Sequence, residues 1–214
     1  ENGATSIETV SLSVVTPFSE GFYLLKEING ETDIDLHLRD GSYVMDILKS
    51  KDGQHMPAAP VSIGLDPSYC FVNAQADYEI TKALFICTEN DVRISNVEDM
   101  SVIYTYNTMF LGEVPTGEKP YYMWRNFYGV GYVCDQGIYF STQAPLYDLL
   151  GTGKFGLPAL VNESEKTKPN FYGVISNGCW FFFDELKGRL LYLDFNGSLH
   201  TFSDTDKEGK EQPY

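Results

Sequence analysis

The sequence predicts an all-β protein built of antiparallel four-stranded sheets. Three observations predict it. β-rich runs separated by polar turns occur at least four times; four such runs follow one another without interruption within residues 172–202; and segments with helical periodicity are scarce.

Taken in order, residues 10–15 alternate Val10, Leu12 and Val14 with Ser11 and Ser13, a strand that stops at Thr16-Pro17. Phe22-Tyr23-Leu24-Leu25 leads through Asn29-Gly30 into Ile34-Asp35-Leu36-His37-Leu38, and Asn-Gly supplies the positive φ angles of a type I′ hairpin turn. Residues 42–50 read as a short helical turn, and the proline-bearing residues 56–60 as a connection. Residues 83–87 turn at Glu89-Asn90-Asp91 into Val92-Arg93-Ile94; a second connection follows at 114–120. Residues 130–134 turn at Asp135-Gln136-Gly137 into Ile138-Tyr139-Phe140, and residues 144–150 are a further helical turn. The closing meander turns at Ser176-Asn177-Gly178, Glu185-Leu186-Lys187-Gly188 and Asn196-Gly197, before a polar tail over 203–214. Hairpin centres near Gly30, Asn90, Gly137 and Gly197 recur about every 45 to 60 residues, which suits the blades of a partial β-propeller; a β-sandwich shares many of these features and is the alternative. The expected organisation is residues 1–16 as the terminal strand of a preceding unit or a leader, then residues 17–214 as propeller blades, an incomplete set.

A formal net charge of -15, from 30 Asp and Glu against 15 Lys and Arg, repels phosphate backbones and anionic lipid, so nucleic acid is excluded as a partner. Hydrophobic residues at 43% and charged ones at 21% are ordinary globular usage, which puts the acidity on the surface of a folded domain. No apolar run approaches the roughly 18 residues of a membrane helix. The chain opens Glu1-Asn2-Gly3 with no initiator Met, as expected of a processed form or a domain cut from a longer protein. Cys70, Cys87, Cys134 and Cys179 form no C-x-x-C pair; free core thiols are expected, with a disulfide as the alternative.

The segment VVTPFSEGFYLLKEINGETDIDLHL, followed by HMPAAPVSIG, resembles the PKD-like family lipoproteins of Bacteroidetes. The matching residues are Ser13-Val14, Gly21-Phe22-Tyr23-Leu24-Leu25, Asn29-Gly30 and residues 57–63, and FFFDELKGRLLYLDFNGSLHTF is similar to a blade of such proteins. The resemblance implies a strand of an immunoglobulin-like PKD module leading into propeller blades. It also implies an exported lipoprotein on the outer-membrane surface or in the periplasm, encoded beside glycan-import machinery. It carries no catalytic residues to transfer.

The densest aromatic run is Tyr121-Tyr122-Met123-Trp124-Arg125-Asn126-Phe127-Tyr128. Aromatic faces stack on sugar C–H surfaces while Arg and Asn bond hydroxyls, so Tyr121, Tyr122, Trp124, Arg125, Asn126 and Tyr128 are the candidate ligand site. The competing reading packs these rings between twisted sheets, and Trp180, among uniformly apolar neighbours, is expected in the core. Ser203-Asp204-Thr205-Asp206-Lys207-Glu208-Gly209 has the alternating acids of a calcium loop, but lacks the later bidentate acid and reads as a solvated turn. Asp33 and Asp35 read as the polar face of a strand. His37, His55 and His200 have no zinc spacing, and there is no nucleophile elbow, P-loop or dinucleotide fingerprint. No catalytic residue, metal or cofactor is assigned. The expectation is a non-enzymatic surface module that binds a glycan or a partner protein. A propeller glycoside hydrolase or lyase, and a purely structural spacer, are the alternatives.

Overall fold

The computed structural model describes residues 16, 18, 20–125, 129–142, 152–162, 164–174, 179–194 and 197–202. The strand at 10–15, the helical turn at 144–150, the acidic loop at 203–209 and nearly all of the segment 1–16 lie outside these residues. The described part is all-β apart from one six-residue helix, and its strands fall in four antiparallel sheets, not the two of a sandwich.

Sheet 1 holds β1 (Phe22–Ile28), β2 (Glu31–His37) and β3 (Tyr43–Val44); the helix α1 (Ile47–Asp52) follows β3. Asn29 and Gly30 take φ of 54° and 84°, the hairpin turn their side chains favour. The helical turn expected at 42–50 forms later and shorter, as α1. Sheet 2 holds β4 (Pro60–Val72), β5 (Tyr78–Thr88), β6 (Val92–Asn96) and β7 (Val102–Thr105) in that order. Sheet 3 is β8 (Pro120–Arg125), β9 (Gly129–Cys134) and β10 (Gly137–Thr142), and sheet 4 is β11 (Pro169–Val174), β12 (Trp180–Asp184), β13 (Arg189–Leu193) and β14 (Leu199–Thr201). Every sheet is a meander of consecutive strands, so the pairings within the sheets are local; outside them, isolated parallel bridges join Phe110 to Phe155 and Val161 to Leu199.

Side chains alternate between faces along a strand, and here successive sheets stack through those faces. Ile34 and Leu36 of sheet 1 meet Leu84 and Ile86 of sheet 2. The opposite face of sheet 2, with Tyr69, Phe85 and Ile94, meets Met123, Val130 and Tyr132 of sheet 3. The opposite face of sheet 3, with Trp124, Val133 and Ile138, meets Trp180, Phe182 and Leu191 of sheet 4. β9 is consequently buried at every residue, which explains why it reads as an unbroken apolar run. Sheets 1 and 2, and sheets 2 and 3, approach most closely at their first strands: β1 lies near β4, and β4 against β8, where a Cβ on Gly64 would stand 2.9 Å from the Met123 carbonyl oxygen.

A repeat that the sequence conceals is plain in the hydrogen bonding. Sheets 2, 3 and 4 each open on a proline, Pro60, Pro120 and Pro169, and each has a register shift directly after it. The carbonyl before each proline accepts the N–H of the residue just past the second strand: Glu89 N–H to Ala59 at 3.0 Å, Asp135 N–H to Lys119 at 3.1 Å, Glu185 N–H to Lys168 at 2.9 Å. Proline lacks the donor a regular ladder needs, and a first residue followed by a bulge is where a strand accommodates it.

Asp33 is not on a solvated face. It is fully buried, accepts the N–H groups of Ile34, Leu48 and Lys49, and lies 2.6 Å from His55 Nδ1. Since α1 has no side-chain cap of its own, the carboxylate of the neighbouring strand caps it. None of the four cysteines is in a disulfide, and Cys70, Cys87 and Cys134 are buried.

Candidate functional site

β8 divides the aromatic run between its two faces. Tyr122 and Trp124 face sheet 4, with Tyr121 also packed there because of the shift after Pro120. Met123 and Arg125 face sheet 2, where Arg125 Nη1 bonds the buried Asp66 carboxylate at 3.1 Å and the Ser68 carbonyl at 3.2 Å. Arg125 thus ties sheet 3 to sheet 2 on the side away from Trp124. Asn126 and Tyr128 lie outside the described residues.

Trp124 is 3% exposed. Its indole lies over Gly131, its partner across β9, where a Cβ would stand 2.0 Å from Cζ2; this is the reason for a glycine at that position. Across the sheet boundary its ring centroid is 4.3 Å from that of Trp180, which is 4% exposed. Tyr122, half-buried, runs parallel to Trp124 at 6.4 Å and lies 6.5 Å from Trp180. Burial raises the pKa of the Tyr121 hydroxyl beside this group, with the Asp135 carboxylate adding to it.

Both indole Nε1–H groups in this pair are buried, and among the described residues neither finds an acceptor. An orphaned buried donor costs about 1–3 kcal/mol, and such groups mark strain, a bound water or a ligand. Here the two donors belong to neighbouring rings, with the half-buried Tyr122 alongside both. Both nitrogens are closed to solvent, so a polar partner such as a sugar hydroxyl reaches them only where the boundary between sheets 3 and 4 opens. Trp180, expected in the core from its apolar neighbours, is buried in the core shared by sheets 3 and 4; its indole donor left without an acceptor arises only across the boundary between sheets.

Described residues elsewhere line two further clefts. One of about 600 Å³ at the far end of sheet 2 is lined by Asn73, Glu79, Asn96, Asp99, Tyr104 and Lys154. Its polar groups are committed: Asn73 to Glu79, Asn96 to Thr81, Asp99 to Ser101, Tyr104 to the Thr152 carbonyl, with Lys154 over the Tyr104 ring. The other, about 250 Å³, borders sheets 1 and 2 and contains Asp52, His55, Asp91 and Arg93. Burial raises the Asp91 pKa, opposed by the Val92 N–H it accepts, while Asp52 pairs with Arg93. Among the described residues no cluster of His, Cys, Asp and Glu could hold a metal ion, and no helix is long and apolar enough to cross a membrane.

A scan against protein-family models matches none, and a search of the curated proteins finds no match.

Proposed function

We propose that this chain is a non-enzymatic binding module of partial β-propeller architecture that holds a glycan through the Tyr122, Trp124 and Trp180 group between sheets 3 and 4. The single observation that carries the reading is the adjacent pair of buried indole donors without acceptors among the described residues. The propeller reading is supported by four consecutive meanders stacked face to face, by the close approach of the first strands of sheets 1, 2 and 3, and by the proline and bulge that open sheets 2 to 4. Attachment to an exported surface lipoprotein rests on the resemblance of residues 10–63 and the closing meander. Export and a surface-protein partner belong to the same proposal.

Affinity electrophoresis against a panel of soluble plant and host polysaccharides tests it, with Trp124→Phe and Trp180→Phe, which delete the N–H and keep an aromatic ring. Retardation by one polysaccharide, lost in both variants, is the expected result; retardation unaffected by either variant removes the site. The hydrolase or lyase reading has one observation in its favour, the raised pKa of Asp91 beside Asp52 and His55. It requires release of reducing or unsaturated ends from the panel, abolished in Asp91→Asn.

A further inference from the structure

The cleft between sheets 1 and 2 has hydrogen-bonding capacity that the fold leaves unused. On one side His55, with a side chain only 11% exposed, holds Nδ1 2.6 Å from the fully buried Asp33 carboxylate. That carboxylate already takes three backbone N–H bonds, from Ile34, Leu48 and Lys49, which marks it as an acceptor. Nδ1 therefore carries the hydrogen, and the neutral ring presents its lone pair at Nε2. Among the described residues Nε2 has no hydrogen-bond partner, and His55 lines the cleft.

On the other side stands Asp91. The fully buried Asp66 and Asp184 each face a guanidinium, Arg125 at 3.1 Å and Arg189 at 3.2 Å. Asp91 is half-buried, and among the described residues no cation reaches its carboxylate. Burial raises its pKa, opposed only by the N–H groups of Val92 and Tyr106. Arg93, the one cation among the described residues lining the cleft, is engaged elsewhere: it pairs with Asp52 and donates to Ser95 Oγ at 2.7 Å and the Met100 carbonyl at 2.9 Å. The walls are set without a ligand, which lowers the cost of binding one. Thr32 and Met56 exchange backbone N–H bonds of 2.9 Å, and Thr88 Oγ1 accepts the Asp91 N–H at 3.0 Å.

We propose that this cleft binds the free ammonium group of an amino sugar, with His55 Nε2 and the Asp91 carboxylate as its acceptors. An ammonium brings three donors and no acceptor to a pair of groups that only accept. Three carboxylates, Asp33, Asp52 and Asp91, stand here against the Arg93 guanidinium, so the cleft attracts a cation. The net charge of -15 adds a field that draws cations in. The volume of about 250 Å³ lies below the roughly 300–1,000 Å³ of sites for drug-sized ligands, which suits a single ring. Val102, 46% exposed, and Pro57 offer the C–H face of that ring an apolar wall. N-acetylation removes the charge and two of the three donors, so the acetylated ring is refused. The site lies apart from the boundary between sheets 3 and 4 and does not depend on the reading of it.

The test is isothermal titration calorimetry of the folded protein with three separate probes: the glucosamine trisaccharide, its fully N-acetylated counterpart and n-butylamine. The expected result is one trisaccharide bound per chain, no binding of the acetylated form and weaker binding of the alkylamine. Asp91→Asn keeps an acceptor for the Val92 N–H and should weaken binding about tenfold or more. His55→Asn supplies a side-chain N–H for Asp33, removes Nε2 and should do the same, with circular dichroism checking that both variants fold. No binding of the trisaccharide, equal affinity for the acetylated form or for the alkylamine, several trisaccharides per chain, or binding that survives Asp91→Asn overturns the proposal. Trp180→Phe separates the two sites: unchanged affinity is expected, and a loss places the amino sugar between sheets 3 and 4 and overturns the cleft.

Discussion

Individual side chains here hold close approaches that few substitutions tolerate. Gly131 gives its space to the Trp124 ring, so Gly131→Ala should cost about 1–3 kcal/mol by overpacking, read as a shift in the urea midpoint with the slope unchanged. Asp33→Ala strands the N–H groups of Leu48 and Lys49 and the His55 ring, and should cost at least about 3 kcal/mol. Asp66 gives the pH dependence a sign. Burial raises its pKa, against the opposing Ser68 N–H and the Arg125 guanidinium, so the folded protein binds its proton more tightly than the unfolded chain does. Ionising Asp66 therefore destabilises the fold above that raised value, and the penalty is relieved as pH falls through it toward the ordinary carboxylate range. Relative to Asp66→Asn, the parent should gain stability on acidification over that window in urea unfolding. The thiols divide by burial: Cys87 is pushed up to about 12 and Cys134 also upward, by desolvation, while Cys179 is half-exposed. Iodoacetamide should label Cys179 alone in the native protein and all four cysteines in urea, as read by mass spectrometry.

Among the elements, protection should follow the stack. β5 and β9 sit between two neighbours, with the second half of β5 and all of β9 buried, so their amides should exchange slowest and those of β1 and β14 faster in hydrogen-exchange mass spectrometry. The sequence discloses these hairpins well because their signals are local: Asn29-Gly30, the turn after Thr88 and Gly137 are where expected. It hides β4, the longest strand, because that strand begins in a proline-rich run and carries Pro67 within it. The pairing shifts between Asp66 and Tyr69, and a proline fits at that irregularity. It also hides β8, whose aromatic residues read as one patch. A strand of period 2 sends Trp124 and Arg125 to opposite sides, and which sheet lies on each side is information held far away in the chain. The Trp180 indole shares that limit, since an unpaired donor is a property of two sheets together.

At the scale of the whole molecule, the fold is a series of locally paired sheets, each stabilised by the faces of its neighbours, with the proposed binding site at a boundary between two of them. The chain has two tryptophans, and both are in the proposed site, so selectively excited tryptophan emission reports on that boundary alone. The decisive measurement is a tryptophan fluorescence titration of the folded protein with each polysaccharide of the panel. One glycan should shift the emission and saturate, and Trp180→Phe should keep a Trp124 signal that no longer saturates. A glycan that is bound by electrophoresis yet leaves both indoles unperturbed would contradict the account.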